Sequence, residues 1–145
     1  MKKSLIGLSL MFATSVAFGA DISVLAGHDN AFHKDTAGVA VGTEVAGLAV
    51  AGEFSFAKNL YSTYGASVGK DFKVGGLAVG PRVSVTRVNM EHGTGDGYVA
   101  GVGLAVAYPL TKKVSVVGSA THNVDIQKHG DLRGNVVAAG LKYTF

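Results

Sequence analysis

The sequence contains no cysteine. That closes the disulfide frameworks on which small exported domains often lean. It also removes thiolate ligands from any metal site and the cysteine that a lipoprotein anchor needs at its cleavage site. An excess of one charge is missing too. Thirteen Lys+Arg face 10 Asp+Glu, and Lys2 and Lys3 lie in a segment expected to be removed, which leaves 11 basic residues against 10 acidic ones. No basic run could track a phosphate backbone, so nucleic acid is not an expected partner. Long hydrophobic runs are absent beyond residue 20, where the apolar stretches are short, Gly-rich and broken by Glu44, Glu53 and Arg82. Twenty-one glycines are too many for stable helices, and nothing past the N-terminal segment suits a membrane helix.

What is present begins with a secretory signal. "MKK" is a basic start, "SLIGLSLMFATSVAF" an uncharged apolar stretch, and "AFGA" a small-residue cleavage site after Gly19 or Ala20. Residues 1–20 are therefore read as a cleaved signal peptide and 21–145 as the mature domain. An exported chain that is apolar, Gly-rich and without a spanning helix points to a membrane β-barrel, since a closed barrel is the other way to satisfy a backbone in lipid.

Turn signals divide the mature chain into eight candidate strands, roughly 21–29, 36–43, 48–57, 62–70, 76–88, 98–108, 114–123 and 135–145. The expected fold is all-β, an eight-stranded antiparallel up-and-down transmembrane barrel. An even count returns both termini to one side. The first, third, fifth and seventh connections include the two clearly long ones, "NMEHGTGDG" and "VDIQKHGDLRG", and are expected to face outward.

The sixth strand, "YVAGVGLAVAY", alternates most clearly. Tyr98, Ala100, Val102, Leu104, Val106 and Tyr108 share one face; Val99, Gly101, Gly103, Ala105 and Ala107 share the other. At about 3.3 Å per residue and a tilt of about 40°, Tyr98 and Tyr108 stand roughly 25 Å apart, the height of an outer-membrane apolar band. Phe54, Phe56, Tyr64, Tyr98, Tyr108 and Tyr143 are the expected aromatic girdle. The opposite parity is mostly Gly, Ala, Ser and Thr, with Glu53, Arg82 and Lys142 among them. An eight-stranded barrel is just wide enough for side chains to fill. Glu53 paired with Arg82 or Lys142 is the expected lumen charge network, because a charge away from water needs a partner.

In the terminal strand, Leu141, Tyr143 and Phe145 alternate with Lys142 and Thr144. This resembles the C-terminal signature of outer-membrane barrels, and the stretch "GYVAGVGLAVAYPLTKKVSVVG" is similar to the strand–turn–strand units of small bacterial barrels such as OmpX, the OmpA transmembrane domain and YfaZ-like proteins. The resemblance is one of architecture across the mature chain. It implies an outer-membrane location, a monomer in contact with outer-membrane lipid and lipopolysaccharide, and a terminal segment read by the barrel-assembly machinery through Leu141, Tyr143 and Phe145. No cofactor is implied.

Chemistry-bearing motifs are sparse. His28, His33, His92, His122 and His129 all fall at the expected outer end, where imidazoles would be the candidate metal ligands. None forms a helical i, i+4 pair and no cysteine joins them, so no metal site is expected. Lipid A deacylases among small barrels carry a His-x-Ser pair; here His122 is followed by Val124 in the serine's place, which leaves His122 and Asp125 as a base without a nucleophile. "HGTGDG" is a single Gly-rich copy with no helix after it. The expected function is therefore non-enzymatic: envelope integrity or surface interaction through the outward loops. Phe32 and Tyr61 are the loop aromatics that would anchor a partner, and Arg87 and Arg133 would meet a partner or lipopolysaccharide phosphates. A narrow channel for small solutes is the alternative, ahead of a lipid A-modifying enzyme or a soluble β-domain.

Overall fold

The computed structural model describes residues 20–91, 97–126 and 134–145. Residues 1–19, His92, His129 and Arg133 lie outside them, as does most of "HGTGDG". The described chain forms β1 (Asp21–Asp29), β2 (Lys34–Val45), β3 (Leu48–Ala57), β4 (Tyr61–Gly69), β5 (Phe72–Val74), β6 (Leu77–Met90), β7 (Gly97–Pro109), β8 (Val114–Asp125) and β9 (Gly134–Thr144). Each pairs antiparallel with its neighbour in the order β4-β3-β2-β1-β9-β8-β7-β6-β5, and β4 also pairs with β6, which closes the sheet. β4 and β5 are two lengths of one stave, so the barrel has eight staves in up-and-down order. Closure leaves no unpaired edge.

The break between β4 and β5 has a local cause. Gly69 lies opposite Arg82 and Phe72 opposite Val79, so one register runs through and sets Lys70 against Pro81. Proline brings no N–H to a ladder. The turn expected at "DFKVG" therefore falls later, at Gly75 and Gly76, with φ of 58° and 84°. Ala46 and Gly47, with φ of 52° and 79°, turn β2 into β3. Two successive residues with positive φ are the signature of the type I′ hairpin, whose twist suits the flanking strands. The expected strands 21–29 and 48–57 coincide with β1 and β3.

Register also fixes the barrel's shape. From Asp21, directly opposed residues run through Gly42, Ala51, Ser67, Ser84, Gly101, Asn123 and Gly134. Gly134 packs against Ala31, ten residues beyond the starting point. A stagger of ten over eight staves corresponds to a tilt of about 40°.

Asp21, Gly42, Ala51, Ser67, Ser84 and Asn123 on that path all line the interior. The other parity points out, and it carries the apolar mass: Val102 is 59% exposed, Leu104 55%, and Val83 and Val85 54% each. Among the described residues no large side chain is fully buried. The molecule carries its large apolar side chains outside and mostly small and polar residues within, the reverse of a water-soluble domain. No described helix is long and apolar enough to cross a membrane; crossing falls to the strands.

Some inward glycines are there because neighbouring backbone leaves no room. A Cβ at Gly103 would stand 2.8 Å from the Thr121 Cα and press on the Ala120 carbonyl oxygen. Gly103→Ala is expected to lower folding stability by about 1–3 kcal/mol, read as a shifted urea midpoint in lipid vesicles.

Candidate functional site

The inward parity lines a cavity of about 290 Å³, reached by residues from both ends of the barrel. The lumen is thus narrow without being filled. The reason is the small inward set: Gly27, Gly38, Ala40, Ala51, Ser67, Ser84 and Ala138 all border it. The space is roughly twenty times what one water needs.

Glu53, Arg82 and Lys142 all line this cavity. Arg82 takes Asp71 as its ion-pair partner through Nη2 and Oδ1. Glu53 accepts a hydrogen bond from Ser67 Oγ at 3.3 Å. The two sit in different ladder rows, Glu53 with Gly65 and Thr86 and Arg82 with Gly69 and Gly103, and Arg82 acts on the Glu53 carboxylate through its charge without a direct ion pair. Asp71, just past the β4 break, is closer to hand. Asp21 also lines the cavity, so two acids and two bases gather toward the end that carries the tight turns. Asp21 and Asp71 escaped the sequence reading. Carrying the alternation of β4 on through "KDFK" would have turned Asp71 inward.

The opposite end is closed by an apolar plug. Ala57, Tyr61, Val88 and Val99 are buried together, with Phe32, Leu60 and Met90 packed on them. The Tyr61 hydroxyl donates to Asp29 Oδ2 at 2.6 Å, and the Ala31 N–H donates to Asp29 Oδ1 at 2.9 Å. Asp29 is thereby buried with both carboxylate oxygens satisfied. The Phe32 and Tyr61 rings meet at 5.6 Å between centroids, tilted by 56°. The structure thus corrects their expected role: Tyr61 is 4% exposed and belongs to the lumen, not to an outward loop. Its parity with Thr63 and Gly65 carried that signal.

The outward face has two aromatic rims. Phe56, Tyr64 and Tyr98 lie toward the plugged end, with Phe54 one turn of alternation inside them; Tyr108 and Tyr143 lie at the other end, joined by Phe72 and Phe145. Leu141, Tyr143 and Phe145 all face outward, and the Tyr143 and Phe145 rings make an edge contact at 5.1 Å. Lys113 stands 5.9 Å from the Tyr143 ring and Lys70 5.7 Å from that of Phe72. At the plugged end Arg87 points outward between Tyr64 and Tyr98, its guanidinium carbon 5.9 Å and 5.8 Å from the two ring centroids.

The histidines are scattered. His28 Nδ1 meets Asp35 Oδ1 at 2.9 Å, His122 Nδ1 meets Asn135 Oδ1 at 2.8 Å, and His33 occupies the β1–β2 turn with φ of 52°. No three potential ligands among His, Cys, Asp and Glu gather among the described residues. His122 lies outward while Asp125, with the parity of Thr121 and Asn123, lies inward. The acid–base pair considered for a lipid A enzyme is split across the barrel wall.

No protein-family model matches the chain, and no curated protein matches it. Solved structures do. The N-terminal β-barrel domain of Pseudomonas aeruginosa OprF aligns with a TM-score of 0.71 at 14% identity, covering 88% of this chain and 97% of that one. Neisserial surface protein A aligns with 0.61 at 20% identity over 87% and 94%. The Yersinia pestis outer membrane protein Ail gives 0.60 at 10% identity over 88% and 99%. The chain has the fold of small bacterial outer-membrane barrels.

Proposed function

We propose that the chain is a non-enzymatic outer-membrane barrel, seated with its plugged end outward after loss of residues 1–20, that supports envelope integrity and surface contact through its outward loops. The observation that carries this reading is the apolar outer face held between two aromatic rims. On β7, Tyr98 and Tyr108 bracket Ala100, Val102, Leu104 and Val106, a band roughly 25 Å tall. Water would not tolerate so much exposed apolar surface; lipid requires it. The connections support the orientation. At the plugged end they run through residues 30–33, 58–60, 91–96 and 126–133, whereas at the other end two of the three have only two residues. Outer-membrane barrels keep short turns inside and longer loops outside. The split of His122 from Asp125 speaks against acyl chemistry at that rim.

Electrophoresis of the outer-membrane fraction tests the membrane reading. The cold sample is expected to migrate differently from the boiled one, because a closed barrel resists detergent. An unshifted band from the soluble periplasm would overturn it. A deletion strain is expected to take up hydrophobic antibiotics faster than its parent; unchanged uptake would remove the envelope role and leave surface contact.

One observation favours a second reading. The cavity borders residues from Lys142 at one end to Asp29 at the other, which is the path a small solute would take if the plug opened.

A further inference from the structure

Arg87 is an outward-facing cation on a face whose larger side chains are mostly Val, Leu and aromatic residues. Its strand neighbours of the same parity, Val83 and Val85, are more than half exposed. An arginine on a lipid face is strongly destabilising at the midplane and costs little at the interface. Its placement matches the cheap position. Tyr98, directly opposite Arg87 on β7, begins the aromatic rim. The next outward pair beyond it is Ser62 with Asn89, two neutral hydrogen-bonding side chains. Arg87 thus marks the line where apolar wall gives way to polar headgroups.

Its surroundings hold it without neutralising it. Tyr64 lies opposite on β4 and Tyr98 opposite on β7, so the guanidinium stands between two rings at 5.9 Å and 5.8 Å. Cation–π contact fixes the fork's position and leaves its charge intact. The ion pairs among the described residues are His28–Asp35 and Arg82–Asp71; Arg87 belongs to neither. A planar, preorganised fork with a full charge suits a phosphate, which takes two parallel N–H bonds. The Tyr64 and Tyr98 hydroxyls also engage the guanidinium and each keeps a proton to donate, and Ser62 with Asn89 forms the next outward pair.

We propose that Arg87, flanked by Tyr64 and Tyr98, is a binding site on the outer wall for a phosphate of lipid A in the surrounding leaflet. The proposal rests on the outward seating of the plugged end, which places this rim in the lipopolysaccharide leaflet. It differs from simple snorkelling of a long cation, for which any charged, flexible side chain serves equally.

The test is native mass spectrometry of the barrel released from membranes, with the electrophoretic shift scored on the same samples. Wild type is expected to retain one lipid A. Arg87→Gln is expected to retain at least about tenfold less, the loss of a charge-assisted hydrogen bond. Arg87→Lys is expected to restore little, because it returns charge without the fork. Back-titration of stripped wild type with bisphosphorylated lipid A is expected to succeed where dephosphorylated lipid A, phosphatidylglycerol and millimolar inorganic phosphate fail. Equal retention by Arg87→Gln, full rescue by Arg87→Lys, or equal binding of phosphatidylglycerol or free phosphate would each overturn the site. A sample with no shift would instead overturn the membrane reading beneath it.

Discussion

Leu104→Arg is expected to destabilise the folded barrel by about 2–4 kcal/mol. Leu104 is six residues from Tyr98 and four from Tyr108 on the same face of β7, so it lies well inside the apolar band. It is 55% exposed and is flanked directly by Pro81 on β6 and Ala120 on β8. Neither neighbour offers an anion or a hydrogen-bonding side chain. An arginine there must reach a rim through the acyl chains or drag water inward. Urea unfolding in lipid vesicles reads the loss directly. A variant as stable as wild type would mean that this face does not meet lipid.

The second large effect is expected from Tyr61→Ala. Removing the ring takes away the centre of the plug and leaves Asp29 short of its hydroxyl donor. A buried aromatic truncation costs about 3–5 kcal/mol, and an orphaned buried carboxylate oxygen adds to that. Tyr61→Phe separates the two contributions: the plug stays and only the hydrogen bond is lost, at about 1–3 kcal/mol. The same pair decides the conduit reading. In a planar bilayer, wild type and Tyr61→Phe are expected to be nearly silent, and Tyr61→Ala to show small current steps. Silence in all three, with folded protein confirmed by the electrophoretic shift, would retire the conduit.

How far the sequence carried depended on whether a feature was local. β7 was legible because its alternation is unbroken for eleven residues and its rim tyrosines lie on one strand. β1 and β3 were legible because turn residues bound them cleanly. The fourth stave reads as ending at Lys70 because "DFKVG" looks like a turn, whereas the stave pauses opposite Pro81 on the facing strand and runs on to Val74. Tyr61 suffered from its neighbours: "KNLY" reads as loop, and only the inward parity that follows reveals the plug. The partners of Glu53 and Arg82 were beyond reach for a deeper reason. Which lumen side chains meet depends on the stagger around the whole barrel, a quantity no single strand encodes. Arg87 was visible as a cation, but its two flanking tyrosines come from strands on either side and needed the register.

The ladder between β1 and β9 has a consequence for how such a chain comes into being. Synthesis delivers β1 before β9, yet Ser23, Leu25 and Gly27 await Lys142, Gly140 and Ala138, more than a hundred residues further along the chain. Until then β1 and the newest strand each present an open row of amides and carbonyls. Water satisfies those rows; hydrocarbon does not. Unaided, a growing barrel therefore has no stable half-built form in the bilayer. Entry into lipid must be simultaneous with, or later than, the meeting of its two ends, and a truncated chain lacking β9 would be stranded on the aqueous side.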